Sequence, residues 1–184
     1  MLATGEYHVI GGVKTIDSEI NQKDFTPIEC DLESFSSVRS FCSKVEEYRL
    51  GKPLDRLVCH AGDESEQLPS APYWTNDSHE RTIQVNFLSP FLMIGLLLEG
   101  MEDSFDARLT LVCPPEAKNA NIANLVDLKG FERNEFVKVP MVDGEDVFNA
   151  KKAVEDAKLC QKLLQIFCTR SITNLIMFPL MIYH

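Results

Sequence analysis

A chain of 184 residues with 45% apolar and 25% charged residues has the size and composition of one globular domain, large enough to bury a sizeable core. These figures exclude a disordered, collagen-like or disulfide-dense chain. Lys plus Arg number 18 against 28 acids, and a net charge of −10 repels phosphate backbones, so a general nucleic-acid binder is excluded too.

In chain order, Tyr7–Ile10, Pro27–Cys30, Arg56–His60, Leu109–Cys113 and Thr173–Phe178 are short apolar runs rich in β-formers and read as buried strands. Between them, Ser34–Glu46 carries Phe35, Val38, Phe41, Cys42 and Val45 on one helical face. A second helix is predicted from about Ser78 to Leu98 with a kink at Pro90, and a third from about Asp146 to Cys168. The polar, Asn-rich stretch Pro114–Gly144 is too long for a plain connection and reads as a functional loop or a segment ordered by a partner. Strands alternating with helices predict an α/β fold with a parallel sheet covered on both faces, in a single domain over 1–184.

The six cysteines form no CxxC pair and no His cluster, which points to a reducing compartment and to no metal site. The opening MLATGEYHVI is neither a signal peptide nor an Arg-rich transit sequence. The longest apolar run, Phe91–Leu98, is too short to span a bilayer, so no transmembrane segment is expected.

Six segments carry a resemblance. Pro53–Gly62 (PLDRLVCHAG), Asn86–Leu98 (NFLSPFLMIGLLL) and Val154–Lys158 (VEDAK) resemble the short-chain dehydrogenase/reductase superfamily. Ala120–Lys129 (ANIANLVDLK), Met141–Lys152 (MVDGEDVFNAKK) and the Lys158-Leu159-Cys160 triplet are similar to its light-dependent protochlorophyllide oxidoreductase branch, the NADPH enzymes of chlorophyll synthesis. The resemblance implies a Rossmann-like doubly wound sheet that lacks the family's first strand, its glycine-rich phosphate turn and its C-terminal substrate region. Gly11-Gly12 then corresponds to the end of a strand, not to the phosphate turn. Without a strand between them, the segments at 7–10 and 56–60 must pair directly or receive a strand from elsewhere, because unpaired buried backbone groups are costly.

The resemblance also assigns roles by position. Family enzymes place a proton-donating tyrosine four residues before a lysine on one helix face. Here Lys158 keeps the lysine position, as a catalytic and cofactor-binding remnant or a solvated helix lysine, while Val154 stands at the tyrosine. The superfamily's catalytic Ser/Thr position falls at Pro114, and no Ser, Thr or Tyr occurs from Leu111 through Cys168. Asn86 matches an asparagine of the proton relay, or else satisfies a local helix distortion. Lys14 matches a position near the ribose 2′-phosphate, or is a surface charge. Asp31 matches an adenine-contacting aspartate, or is a helix cap. His60, Ala61 and Gly62 match the turn at the cofactor, and Cys160 a cysteine near the pigment, with packing as the alternative.

The reading that follows is a plastid protein, stromal or peripheral to the thylakoid, that has lost catalysis. It retains no cofactor, or NADPH if any binding survives, and serves as a binding, assembly or linker subunit among protein partners, with a tetrapyrrole pigment as candidate ligand. The alternative is an active NADPH-dependent protochlorophyllide reductase whose sequence is incomplete.

Overall fold

The computed structural model describes residues 7–17, 23–60, 73–113, 150–171 and 176–181. In chain order these form strands β1 (Val9–Val13) and β2 (Phe25–Glu29), helix α1 (Phe35–Arg49) and strand β3 (Arg56–Cys59). A short helix α2 (Arg81–Ile83) runs through a π-helical turn (Gln84–Leu88) into helix α3 (Ser89–Glu102). Strand β4 (Arg108–Cys113), helix α4 (Ala150–Ser171) and strand β5 (Ile176–Met181) follow. Every ladder is parallel: β1 pairs with β2, and β3, β4 and β5 pair in that order. The fold is α/β, as the alternation of strand and helix patterns predicts.

Helix α1 shows how local sequence sets an element. Ser34 is its N-cap, accepting the Ser37 N–H at 3.3 Å, and Val38, Phe41, Cys42 and Val45 are buried at the predicted spacing. The helix runs past Glu46 to Arg49 because no breaker precedes Leu50 and Gly51, which take left-handed backbone at φ 50° and 77°. Strand β1 likewise extends beyond Ile10, through Gly11 and Gly12 to Val13. A Cβ on Gly11 would stand 2.6 Å from the Phe25 ring, so glycine there lets that ring lie across the strand.

Prolines mark outward-facing positions. The Val9 N–H donates to Asp24 and the Cys30 N–H to Val13, so alternate residues of β2 bond to β1 and Pro27 falls on the other parity. Pro179, opposite Leu111, has the same relation to β4. A missing donor costs little where the N–H would face away from the ladder.

The second predicted helix begins at Arg81, not Ser78, since Ser78 has φ 63° and cannot enter a right-handed helix. Its irregularity is the π-helical turn preceding α3. Pro90 lies in the first turn of α3 and has no N–H to close the Asn86 carbonyl. By length and composition, Arg81–Glu102 could cross a membrane, which the apolar-run argument overlooked by stopping at Glu99. Half of its apolar window is buried in the protein, and Gln84 and Asn86 are fully buried on it, which describes a core helix. Of the third predicted helix and last strand, residues 146–149 and 173–175 lie outside the described residues, as does the 114–144 stretch.

One core joins the sheets. Ile28 and Cys30 from β2 and its end, Val38, Phe41, Cys42 and Val45 from α1, Leu57 and Cys59 from β3, Ile94, Leu97 and Met101 from α3, and Leu109 and Leu111 from β4 form a single apolar cluster. Yet among the described residues no ladder joins β1 to β3. Direct pairing, one of the two expected arrangements, is not found among the described residues, and Gly12 and Val58 are exposed.

Candidate functional site

Helix α4 packs against α2, the π-helical turn and β4. That packing buries Val154, Ala157 and Lys158, with Lys158 wholly inaccessible. Its Nζ donates to the Val112 carbonyl at 3.4 Å. A lysine on a solvated helix face is therefore not what the fold places here. Val154, one turn earlier, presents only hydrocarbon beside it.

Asn86 is also wholly buried, on the π-helical turn. Its Nδ2 donates to the Thr82 carbonyl at 2.9 Å, and its Oδ1 has no hydrogen-bond partner among the described residues. A π turn displaces carbonyls from their i+4 donors, and this side chain satisfies one of them. The asparagine thus supports the helix distortion, leaving one buried acceptor over.

The thiols nearby are held protonated. Burial pushes Cys59 up to about 12, against the opposing effect of Lys158. Burial, with Asp156 adding to it, raises Cys160 to about 11. A half-buried thiol at that value is not a nucleophile near neutral pH.

Beyond the C-terminal ends of β1 and β2, Lys14, Asp31 and Glu33 come together as an ionic cluster. Lys14 Nζ lies 2.8 Å from Glu33 Oε1 and 3.7 Å from Asp31 Oδ2, and Arg81 Nε lies 3.1 Å from Glu33 Oε1. The hydrogen bond that Lys14 donates to Glu33 holds the lysine above its ordinary value. Burial alone would raise the Glu33 carboxyl, but its bonds to Lys14 and Arg81 keep it low. Asp31 is not the helix cap, which is Ser34; instead its Oδ1 accepts the Glu33 N–H at 3.0 Å in a local turn. His60 is exposed at the end of β3, and Ala61, Gly62 and Pro114 lie outside the described residues.

Sequence reasoning missed Arg81 and a network that pins the entry to α2. Thr75 Oγ1 donates to Gln84 Oε1, Gln84 Nε2 donates to Asp77 Oδ2 at 2.8 Å, and the Phe35 N–H donates to the same carboxylate oxygen at 2.7 Å. Its local signal was the Thr75-Asn76-Asp77-Ser78 run, which has turn chemistry.

This donor set does not fit a dinucleotide well. Gly11 and Gly12 are inside a ladder, so they form no phosphate turn. The Phe35 N–H in the first turn of α1 already serves Asp77. Lys14 would have to leave two carboxylates to meet a 2′-phosphate, and both carboxylates would repel it.

The ionic cluster sets a pH response. A depressed Glu33 adds stability above its ordinary value of 4.5 that is lost as pH falls toward its folded value. A raised Lys14 adds stability below 10.5 that is lost as pH rises beyond it. Melting curves across pH of about 3–6 should therefore fall more steeply for the native chain than for Glu33→Gln. Parallel curves would show that the cluster adds no stability.

Residues 9–126 match the profile of the short chain dehydrogenases, more than half of the chain. Protochlorophyllide reductase of Cucumis sativus is 32% identical over 181 residues, covering 87% of this chain and 44% of the relative. Protochlorophyllide reductase A of Hordeum vulgare is 30% identical, covering 87% and 45%. The chain thus spans less than half the length of these relatives. Among solved structures, a short-chain dehydrogenase from Streptomyces avermitilis superposes with a TM-score of 0.61 at 14% identity, covering 96% of this chain and 56% of that one. A metagenomic short-chain oxidoreductase in complex with NADP gives 0.58 at 14%, covering 87% and 59%. With the parallel α/β ladders, the profile match establishes that the chain belongs to the short-chain dehydrogenase family.

Proposed function

We propose that this protein is a protochlorophyllide-reductase-like subunit that binds or assembles without performing the reduction, within a photosynthetic complex of the plastid. The observation that carries this reading is Val154 one turn from the buried Lys158, where hydrocarbon occupies the place from which a proton would be given. The protonated thiols and the compensated Lys14 support it. The plastid location follows the chloroplastic relatives. A tetrapyrrole is the ligand class the ancestry suggests, and NADPH is not expected to be held.

A second reading, an active NADPH-dependent protochlorophyllide reductase, is favoured by one fact: the relatives are more than twice as long, so further sequence would add site residues. Titrations in the dark separate the two. The proposed reading expects saturable quenching of protochlorophyllide fluorescence that NADPH does not alter. Saturable NADPH binding that tightens pigment binding would favour the second reading, and no pigment binding would remove the tetrapyrrole from the first.

A further inference from the structure

The chain fills its own anion-attracting end. In parallel α/β sheets, ligands meet the protein beyond the carboxyl ends of the strands, where helix N-termini offer backbone donors. Here that end gathers Lys14, just past β1, the 30–34 turn between β2 and α1, and Arg81, the first residue of α2. Two cations beside the start of a 15-residue helix are the groups a phosphate seeks.

The protein's own acids hold these groups instead. A single oxygen of Glu33, Oε1, accepts from Lys14 Nζ at 2.8 Å and lies 3.1 Å from Arg81 Nε. A phosphate oxygen seated between two cations makes the same contacts. The Glu33 side chain is 19% exposed against 65% for Lys14, so the acid, not the lysine, is set into the protein. Asp31 Oδ2 stands 3.7 Å from Lys14, and Asp31 Oδ1 accepts the Glu33 N–H at 3.0 Å. On α1, the Phe35 N–H is bonded to Asp77 and the Ser37 N–H to Ser34, so the helix offers neither donor to a ligand.

We propose that Glu33 is an internal anion that sets ligand specificity at this end of the protein: it excludes phosphate groups by occupying the seat between Lys14 and Arg81. An incoming phosphate must displace the carboxylate or sit against it, and like charges at hydrogen-bond range repel strongly where water is partly shut out. The cations are not lost to the fold, but they are already neutralised. This inference deepens the reading that NADPH is not held, by naming the residue that turns a phosphate away. Its test uses neither pigment nor nicotinamide, so the two readings fail separately.

Titration of the whole chain with inorganic phosphate at neutral pH and low salt, followed by NMR at the amides of Lys14, Glu33 and Arg81, tests this. The native chain should show no saturable shifts at millimolar phosphate, and Glu33→Ala should bind at least about tenfold more tightly. Glu33→Gln, which keeps the shape and removes the charge, should gain in the same direction. Glu47→Ala makes the same change in net charge at an exposed position of α1 and should gain nothing. Adding Lys14→Ala to Glu33→Ala should abolish the gain, and rising salt should weaken it. Four results would overturn the proposal: phosphate binding by the native chain with the variant's affinity; no gain in either Glu33 variant; an equal gain in Glu47→Ala; or a gain that survives the loss of Lys14.

Discussion

Leu109→Ala is expected to lower the unfolding free energy by about 2–5 kcal/mol, measured by urea denaturation. Leu109 is fully buried near the start of β4, the central strand of the larger sheet, and belongs to the cluster that spans α1, α3 and both sheets. Truncation removes its transfer free energy and leaves a cavity that neighbours on three elements cannot all close. A loss below about 1 kcal/mol would mean that this core is loosely packed or that the two sheets do not share it.

Asp77→Ala should cost about 1.5–3 kcal/mol, the range for losing hydrogen bonds to a charged acceptor. One carboxylate oxygen accepts both the Phe35 N–H in the first turn of α1 and the Gln84 amide on the π-helical turn. Its removal leaves Gln84, which is wholly inaccessible, with an unpaired donor and takes a negative charge from a helix N-terminus. Asp77→Asn keeps an acceptor and should lose less. Equal losses for the two variants would show that charge, not geometry, is what Asp77 contributes.

These two positions also show what the sequence could and could not convey. The face of α1 was legible because Val38, Phe41, Cys42 and Val45 repeat at helical spacing, and they are the residues buried. The strands were legible as apolar runs, but β1 was cut short at Gly11, since a glycine pair looks like a turn until a neighbouring strand and the Phe25 ring close over it. The kink expected at Pro90 is instead a π turn upstream, where the missing N–H is felt by a carbonyl four residues earlier. Asp77, Gln84 and Phe35 meet across 42 positions of sequence, and periodicity carries no such information. Arg81 was missed for the same reason.

The candidate site divides along the same line. Val154 and Lys158 share a helix face by spacing alone, and the fold buries both. Lys14, Asp31 and Glu33 lie close because β1 and β2 are paired, but their mutual neutralisation is a three-dimensional fact. It changes the meaning of Lys14 from an anion-binding cation to a partner in an ionic cluster. Asn86, similarly, is committed to the Thr82 carbonyl by the π turn that no sequence pattern marked.

Val154, one turn before the buried Lys158, carries the proposed loss of reduction. The most direct test of that loss is illumination of the purified, unmodified chain with protochlorophyllide and NADPH, following pigment absorbance over many equivalents of substrate. The expected result is no NADPH-dependent reduction above a protein-free control. Light-dependent conversion over repeated turnovers would contradict it.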